Sequence, residues 1–151
     1  MSLEVRPARP QDLEAIVRLH EEDELGSHGD AWRPENRAAY EAAFAAIAAS
    51  PDNMLYVAEV DGRVVGTFQL TFIPNLTGRG ALRVKVESVK VSARLRSQGI
   101  GARMMAFAEA LARSRGARLL ELTSNRTRQD AHRFYERLGY DRSHIGFKKT
   151  L

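Results

Sequence analysis

The sequence predicts a mixed α/β (or α+β) protein in which a central sheet carries helices on its faces. Strand-like and helix-like segments follow one another along the chain in the order βααβββαβαβ. A strong hairpin signal stands near the middle, and a later strand leads through a glycine-bearing turn into an amphipathic helix. No repeat and no Pro/Gly/Ser-rich linker divides the 151 residues, so we expect a single domain over residues 1–151.

Composition excludes several classes of protein. The chain is 44% hydrophobic and 28% charged, as is usual for a globular protein, and it has no cysteine for a disulfide, a thiolate metal site or a cysteine nucleophile. No apolar run approaches ~18 residues and the opening MSLEVRPARP lacks an apolar core, so we expect no membrane contact and a cytoplasmic location. The net charge of +4 is spread along the chain without a basic–aromatic run, and we expect no nucleic-acid partner.

The first part of the chain reads as one strand and two helices. A short strand at residues 3–6 precedes a helix that begins at Pro10, where the missing N–H would be unpaired anyway. Residues 24–34 are rich in turn formers and indicate a loop. A second helix with an apolar face at residues 40–47 ends before Pro51.

Three strands are predicted next. Residues 54–60 and 63–73 flank Asp61-Gly62, a strong signal for a hairpin turn. The alternation of the third strand, residues 82–91, changes phase after Val86, as a one-residue bulge requires.

The last part continues with alternating helices and strands. The amphipathic helix that starts at Ile100 ends at Gly116. It is followed by a strand at residues 117–123, a short helix at 130–138 and a closing strand at 145–149.

The turn at residues 96–102 (RSQGIGA) is suited to an anion. Gly99 and Gly101 let a ligand approach the backbone, and the first N–H groups of the helix lack intrahelical partners. With the helix dipole behind them these amides can bind a pyrophosphate, to which Arg96 can add hydrogen bonds. The P-loop and Rossmann patterns are absent, and a bare GxG is also compatible with a simple strand-to-helix connection.

Two segments resemble the signature motifs of the GNAT superfamily of N-acetyltransferases. The run VESVKVSARLRSQGIGARMM at residues 86–105 looks like motif A, with [RQ]-x-x-G-x-[GA] present as Arg96, Gly99 and Gly101. The run LTSNRTRQDAHRFYERLGY at residues 122–140 resembles motif B, with its A-x-x-F-Y-E-x-L-G-[FY] ending. The order and separation of the motifs match the family.

The resemblance implies a sheet splayed between the fourth and fifth strands, with acetyl-CoA in the V-shaped gap. Backbone groups of Val89 and Val91 would pair with the pantetheine arm like an added strand. Asn125 matches a family position that contacts the cofactor arm, although Asn at a strand end is also typical of a turn cap. The predicted cofactor-binding residues are Val89, Val91, Arg96, Ser97, Gln98, Gly99, Ile100, Gly101, Ala102 and Asn125.

The reaction needs a neutral amine, whereas a lysine-like amine with a pKa near ~10.4 is almost fully protonated at pH 7. Glu87 is our candidate general base, acting directly or through water. A lone carboxylate among valines on a central strand is costly unless it is paired or exposed in a cleft, where raised pKa values are found. An ion pair with a neighbour or plain exposure at the sheet edge is the alternative.

Tyr135 is our candidate general acid. The resemblance implies this role, because the Tyr of the family's F-Y-E commonly protonates the CoA sulfur, and a phenol can donate at neutral pH. The alternative is a ring packed on the cofactor whose hydroxyl only orients it. By position in the family, the Val89 N–H would stabilise the developing oxyanion.

No metal-binding residue is predicted, because the four histidines form no HxxxH or HExxH pair. A narrower resemblance concerns residues 123–151, where S-N-x-x-R-x-D-A-H-R-F-Y and S-H-x-x-F-x-K-x-L look like aminoalkylphosphonate N-acetyltransferases. In that subgroup a divalent metal is implicated in acceptor binding.

The sequence therefore predicts an acetyl-CoA-dependent N-acetyltransferase that acts on the primary amine of a small molecule. A protein or peptide acceptor and a non-catalytic acetyl-CoA-binding module are the alternatives. The acidic run at residues 21–24 would attract a cationic amine, or it is simply an exposed helix end. A homodimer is compatible with the sequence.

Overall fold

The computed structural model describes residues 2–23 and 28–151, so residues 24–27 of the predicted first loop lie outside it. Its elements follow the predicted order from the first strand to the last helix, with an added turn before β4 and short 3₁₀ turns at Pro10–Asp12 and Ala93–Leu95. They are β1 (Leu3–Pro7), α1 (Leu13–Glu21), α2 (Pro34–Ala49), β2 (Asn53–Val60), β3 (Arg63–Ile73), the single turn α3 (Thr77–Gly80), β4 (Arg83–Val91), α4 (Ile100–Ser114), β5 (Leu119–Glu121) and α5 (Gln129–Arg137).

The strands form one mixed sheet in the order β1-β2-β3-β4-β5. β1 to β4 are antiparallel neighbours, whereas β4 and β5 are parallel. The predicted hairpin joins β2 and β3, and its turn residues Asp61 (φ 49°) and Gly62 (φ 78°) are both left-handed, as a type I′ turn requires. The mixed α/β class is thus confirmed.

Helices cover the sheet on both faces. The buried side of α4, with Ile100, Met104 and Ala108, shares one core cluster with Tyr56 and Phe68 of the sheet. The buried residues of α1 lie outside that cluster. So does Val57, which points away from its neighbour Tyr56 because successive strand residues face opposite sides. None of the described helices combines the length and apolar character that a membrane span needs.

α4 lies close to the sheet because β3 carries a glycine beneath it. A Cβ at Gly66 would stand 2.6 Å from the Met104 sulfur and 3.2 Å from the Lys90 carbonyl oxygen. The aromatic rings of Tyr56, Phe68 and Phe107 pack together beside this contact, with centroids 5.1–6.4 Å apart. The position of α4 fixes where its first turn meets the end of β4.

Two predictions about the end of the chain need correction. The strand predicted at residues 117–123 is shorter, Leu119–Glu121. The closing strand predicted at residues 145–149 is not formed: residues 141–151 have no regular structure and all of them are exposed. A strand needs a partner for its backbone groups, and no described strand of the chain pairs with this segment.

Candidate functional site

The sheet opens between β4 and β5. Their parallel pairing is confined to Arg83–Leu119, Val84–Leu120 and Lys85–Glu121. β4 then continues to Val91 without β5 beside it, so the backbone of residues 86–91 borders a gap on that side. The splayed sheet expected from the family resemblance is therefore present.

The predicted bulge lies on the open part of β4. Thr67 of β3 faces Lys90 and Gln69 faces Glu87, so Ser88 and Val89 together oppose one residue of β3. Ser88 has a left-handed φ of 54°, as the kink requires. A bulge re-aims the backbone groups next to it, and here it adjoins the two valines predicted to pair with the pantetheine arm.

The start of α4 presents a cradle of unpaired amides. Ser97 (φ 63°) and the N-cap Gly99 (φ 81°) are left-handed, and no side chain caps the helix. The first amide of this segment to find a backbone acceptor is that of Arg103, which donates to the Gly99 carbonyl. Among the described residues none accepts a hydrogen bond from the N–H groups of residues 96–102. Unpaired donors of this kind, with the α4 dipole behind them, are suited to an anionic group, and the binding role of residues 96–102 stays a prediction.

The side chains around the cradle have distinct surroundings. Arg96, Ser97 and Gln98 are exposed, whereas Ile100 is buried in the core, so only its amide can serve a ligand. A Cβ at Gly101 would stand 3.1 Å from the Phe134 ring. α5 therefore packs directly against the first turn of α4.

Tyr135 lies next to that contact on α5. Its ring meets Phe134 at 5.0 Å and Tyr140 at 5.8 Å between centroids, both edge to face. Burial raises the pKa of Tyr135, against a smaller lowering by the charge of Arg128, so the phenol keeps its proton at neutral pH. No described residue hydrogen-bonds the Tyr135 hydroxyl.

Glu87 is neither isolated nor buried. Its carboxylate lies 3.3 Å from the ammonium of Lys85, two residues earlier on β4, and its side chain is 42% exposed. The neighbour that pairs with it is Lys85 itself, not a residue of the adjacent strand. The base role of Glu87 stays a prediction.

Asn125 forms the turn cap that was the alternative for this position. Its side-chain oxygen accepts hydrogen bonds from the Thr127 N–H (3.0 Å) and hydroxyl (2.8 Å). No described residue binds its amide NH₂, which remains available as a donor. A contact of Asn125 with the cofactor stays a prediction.

Comparison with known proteins decides the family. A family model described as the acetyltransferase (GNAT) family matches residues 13–140. The chain belongs to the GNAT acetyltransferase family. Members of this family use acetyl-CoA as the acetyl donor, and the amide cradle beside the open gap fits its diphosphate and pantetheine arm.

Three proteins that are similar to this GNAT enzyme can be compared with it. It is 38% identical over 113 residues to an aminoalkylphosphonate N-acetyltransferase of Salmonella typhimurium (strain LT2), covering 75% of this chain and 73% of that one. A transcriptional regulator from Bacillus halodurans C-125 is 36% identical, with a TM-score of 0.95 over 99% of this chain and 100% of that one. Glucosamine-6-phosphate N-acetyltransferase from Arabidopsis thaliana, 17% identical, shares the fold (TM-score 0.80, 99% of each chain).

A buried ion cluster that sequence reasoning missed links the two sides of the gap. Asp23, just after α1, accepts hydrogen bonds from Lys90 of β4 and from Arg128 at the start of α5. Burial alone would raise the pKa of Asp23, but the bonds from Arg128 and Lys90 outweigh it and hold this pKa well below its usual range. The partners are 67 and 105 residues away in sequence, so no local pattern indicates them.

The cluster of Asp23, Lys90 and Arg128 also has a different net charge from the acidic patch that the sequence predicts here. Asp23 was expected to be part of an acidic patch, whose last residue, Glu24, lies outside the described residues. Instead the Asp23 side chain is only 10% exposed, and two cations share its single charge, so the cluster is net positive. Burial lowers the pKa of His20 next to it, and the charge of Lys90 lowers it further.

The described residues contain no ready-made cluster of metal ligands. Among the described residues no group of three or more His, Cys, Asp or Glu side chains could hold a metal ion. The buried carboxylate of Asp23 is already paired with Lys90 and Arg128.

Proposed function

We propose that this GNAT enzyme transfers the acetyl group of acetyl-CoA to the primary amine of a small molecule by direct attack of the amine on the thioester. The observation that carries the proposal is the cradle of unpaired amides at the start of α4, placed where β4 parts from β5. Acetyl-CoA supplies the activated acetyl group.

The residues of the gap have separate tasks in this proposal. Glu87 takes the proton from the amine, directly or through water, once Lys85 releases its carboxylate. The amine nitrogen forms a bond to the carbonyl carbon while the Val89 N–H donates to the carbonyl oxygen. As the C–S bond breaks, Tyr135 gives its proton to the sulfur, and the raised pKa keeps that proton in place until then. The nitrogen of the new amide then loses its extra proton to the Tyr135 phenolate, which restores the phenol.

The acceptor we infer carries an acidic group besides its amine. The aminoalkylphosphonate N-acetyltransferase of Salmonella, at 38% identity, has such an acceptor in its name. In this chain Lys90 and Arg128 bring two positive charges against one carboxylate, and the Arg128 charge acts on the Tyr135 phenol. A partly buried excess cation favours an anionic ligand group.

A protein acceptor and a nucleic-acid partner have less support. The cationic side chains Arg6, Lys90 and Arg128 are engaged in ion pairs within the fold, not arranged as a stripe. We therefore propose a small-molecule acceptor and no nucleic-acid partner. A non-catalytic module would bind acetyl-CoA but release no thiol with any amine.

The acceptor is tested by a matched pair of amines. Free CoA released with 2-aminoethylphosphonate is compared with that released with an alkylamine of equal length. We expect KM to be at least ~10-fold lower for the phosphonate, the equivalent of one charge-assisted hydrogen bond. Arg128→Gln should raise only the phosphonate KM, whereas Arg113→Gln, exposed on α4, should change neither. Equal KM values for both amines would remove the acidic-group inference.

Glu87→Gln tests the base. Turnover should fall by roughly 10²-fold at pH 7, where the amine is protonated, and recover as the pH approaches the amine's own pKa. A pH–rate profile measured beside the native enzyme checks this. Profiles of the same shape would place the base elsewhere.

A further inference from the structure

The carboxylate of Asp23 holds two cations on a single oxygen. Lys90 Nζ and Arg128 Nη2 both donate to its Oδ2. All three side chains are largely withdrawn from water, since Asp23, Lys90 and Arg128 are 10%, 18% and 24% exposed. One carboxylate balances only one of the two cations, so the cluster keeps an excess positive charge in a place that water reaches poorly.

Arg128 uses only one arm of its guanidinium in this cluster. Its Nη2 donates to Asp23, whereas Nη1 and Nε have no acceptor among the described residues. The one buried side-chain nitrogen without a partner in the described chain is Nε of Arg83, so the unused nitrogens of Arg128 are open to a ligand. A guanidinium binds a carboxylate or a phosphonate best through two parallel hydrogen bonds, and here that fork is only half used.

The cluster lies on the same face of the sheet as the candidate base. Lys90 faces Thr67 of β3, and Glu87 faces Gln69. Directly opposed residues share a face of a sheet, and Thr67 and Gln69 are two positions apart on one strand. Glu87 and Lys90 therefore rise from one face about 7 Å apart. An acceptor with a two-carbon chain between its amine and its acidic group has the right length to reach both places.

We propose that the acidic group of the acceptor takes Arg128 from Asp23, so that Asp23 is a specificity residue that competes with the acceptor for this cation. Before binding, the cluster carries one excess positive charge. After the exchange, Lys90 keeps Asp23 and Arg128 binds the acidic group, which leaves two neutral pairs and no unpaired buried carboxylate. The inference rests on the acidic acceptor of the proposed function and adds the residue that this acceptor displaces.

The competition decides which ligands bind well. An amine without an acidic group leaves Arg128 on Asp23 and gains nothing from the cluster. An oxyanion gains the difference between its own bonds with Arg128 and the single bond that Asp23 makes, so it must engage both arms of the fork. A phosphonate, with three oxygens and up to two charges, gains more from this exchange than a carboxylate does.

The neighbouring acidic residue, Glu22, provides a matched control. Its carboxylate accepts a hydrogen bond from the Ala93 N–H (3.2 Å), just beyond the end of β4, and it forms no ion pair with a described residue. Replacing Glu22 or Asp23 by its amide removes one negative charge from the same end of α1. Only Asp23→Asn also frees the two cations, so the two variants separate the loss of the competitor from a general change of charge.

Calorimetric titration with methylphosphonate tests the exchange in the absence of amine and acetyl-CoA. Asp23→Asn should bind methylphosphonate about 10-fold more tightly than the native protein, and Glu22→Gln should bind it as the native protein does. A residue that only positioned Arg128 and Lys90 would have the opposite effect, because its loss would weaken binding. Unchanged or weaker binding by Asp23→Asn would overturn the proposal, as would acetate binding to the native protein as tightly as methylphosphonate.

Arg128→Lys tests the same exchange if Asp23→Asn does not fold. Lysine keeps the charge that pairs with Asp23 but has no fork, so methylphosphonate should bind about 10-fold more weakly while the fold is retained. Native affinity in Arg128→Lys would overturn the proposal. Neither titration involves turnover, so the expected affinities in a protein that releases no CoA would support the exchange and contradict only the proposed acetyl transfer.

Discussion

The two sides of the gap are held in place very differently. On one side β4 pairs with β3 along its length, and α4 is buried against both strands. On the other side β5 has three residues in the sheet, and α5 is attached through Phe134 at Gly101 and through the Arg128–Asp23 bond. The first side is held by strand pairing and core packing, and the second depends on a few contacts.

This contrast teaches where single substitutions act. On the β4–α4 side the proposed cofactor contacts are mostly backbone amides, so most side chains there act only through the conformation they impose, and Glu87 is the exception. On the β5–α5 side, individual side chains make the attachment, and Tyr135 is the side chain proposed to act in the chemistry.

Tyr135→Phe should have the largest effect. Removing the hydroxyl takes the proton donor from the leaving sulfur, and we expect kcat to fall by about 10²-fold or more, with acetyl-CoA affinity unchanged. Steady-state kinetics and a binding titration separate the two. Tyr140→Phe is the control: burial raises the pKa of Tyr140 to about 12, but its ring lies behind Tyr135 and its loss should leave kcat unaltered. Native turnover in Tyr135→Phe would remove the acid role.

Asp23→Asn should loosen the attachment of the second side. It leaves Lys90 and Arg128 without their shared carboxylate, and we expect the free energy of unfolding to fall by ~2–4 kcal/mol. Urea unfolding measures this. Glu14→Gln removes an exposed pair with Arg18 and should cost no more than ~0.5 kcal/mol. Equal losses of unfolding free energy in both variants would show that the cluster contributes no more to stability than an exposed ion pair.

The lowered pKa of Asp23 predicts how the stability difference between the native protein and Asp23→Asn depends on pH. The folded-state pKa of Asp23 lies below its ordinary value of 3.8, so its stabilisation is complete above that value and is lost as pH falls through the folded-state pKa. The stability difference between native protein and Asp23→Asn should therefore be constant above about pH 5 and shrink below pH 3.8. A difference that grows on acidification contradicts this assignment.

Gly99→Ala should have the smallest but most specific effect. The two ends of α4 carry left-handed glycines, Gly99 (φ 81°) and Gly116 (φ 77°), each with open space around its Cβ position. Alanine at either should cost roughly 1–2 kcal/mol of stability. At Gly116 the adjacent amides are satisfied within the chain, so only Gly99→Ala should also weaken acetyl-CoA binding, by about 10-fold. Equal acetyl-CoA affinity in both variants would show that the amides at the start of α4 do not bind the cofactor.

Much of the first side could be predicted from sequence because its signals are local. The Asp61-Gly62 turn, the phase change after Val86 and the glycines at the start of α4 each reflect a backbone conformation that the structure contains. The gap between β4 and β5 could be expected only from the family resemblance, not from a local sequence signal.

The second side could not be predicted in the same way. Asp23 meets its partners across 67 and 105 residues, and only the fold brings them together. The closing strand failed because alternation at Ile145 and Phe147 predicts a strand but not whether the chain provides its partner. The sequence predicts Glu87 as a lone carboxylate, but Lys85, two residues away on the same side of β4, pairs with it.

Calorimetric titration of the native protein tests the central claim most directly. Acetyl-CoA is compared with S-acetyl-N-acetylcysteamine, a thioester that keeps the reacting end but lacks the diphosphate. If the amides of residues 96–102 hold that diphosphate, acetyl-CoA should bind at one site per chain and the truncated thioester at least ~10²-fold more weakly. No uptake of acetyl-CoA, or equal affinity for the two thioesters, would contradict the account.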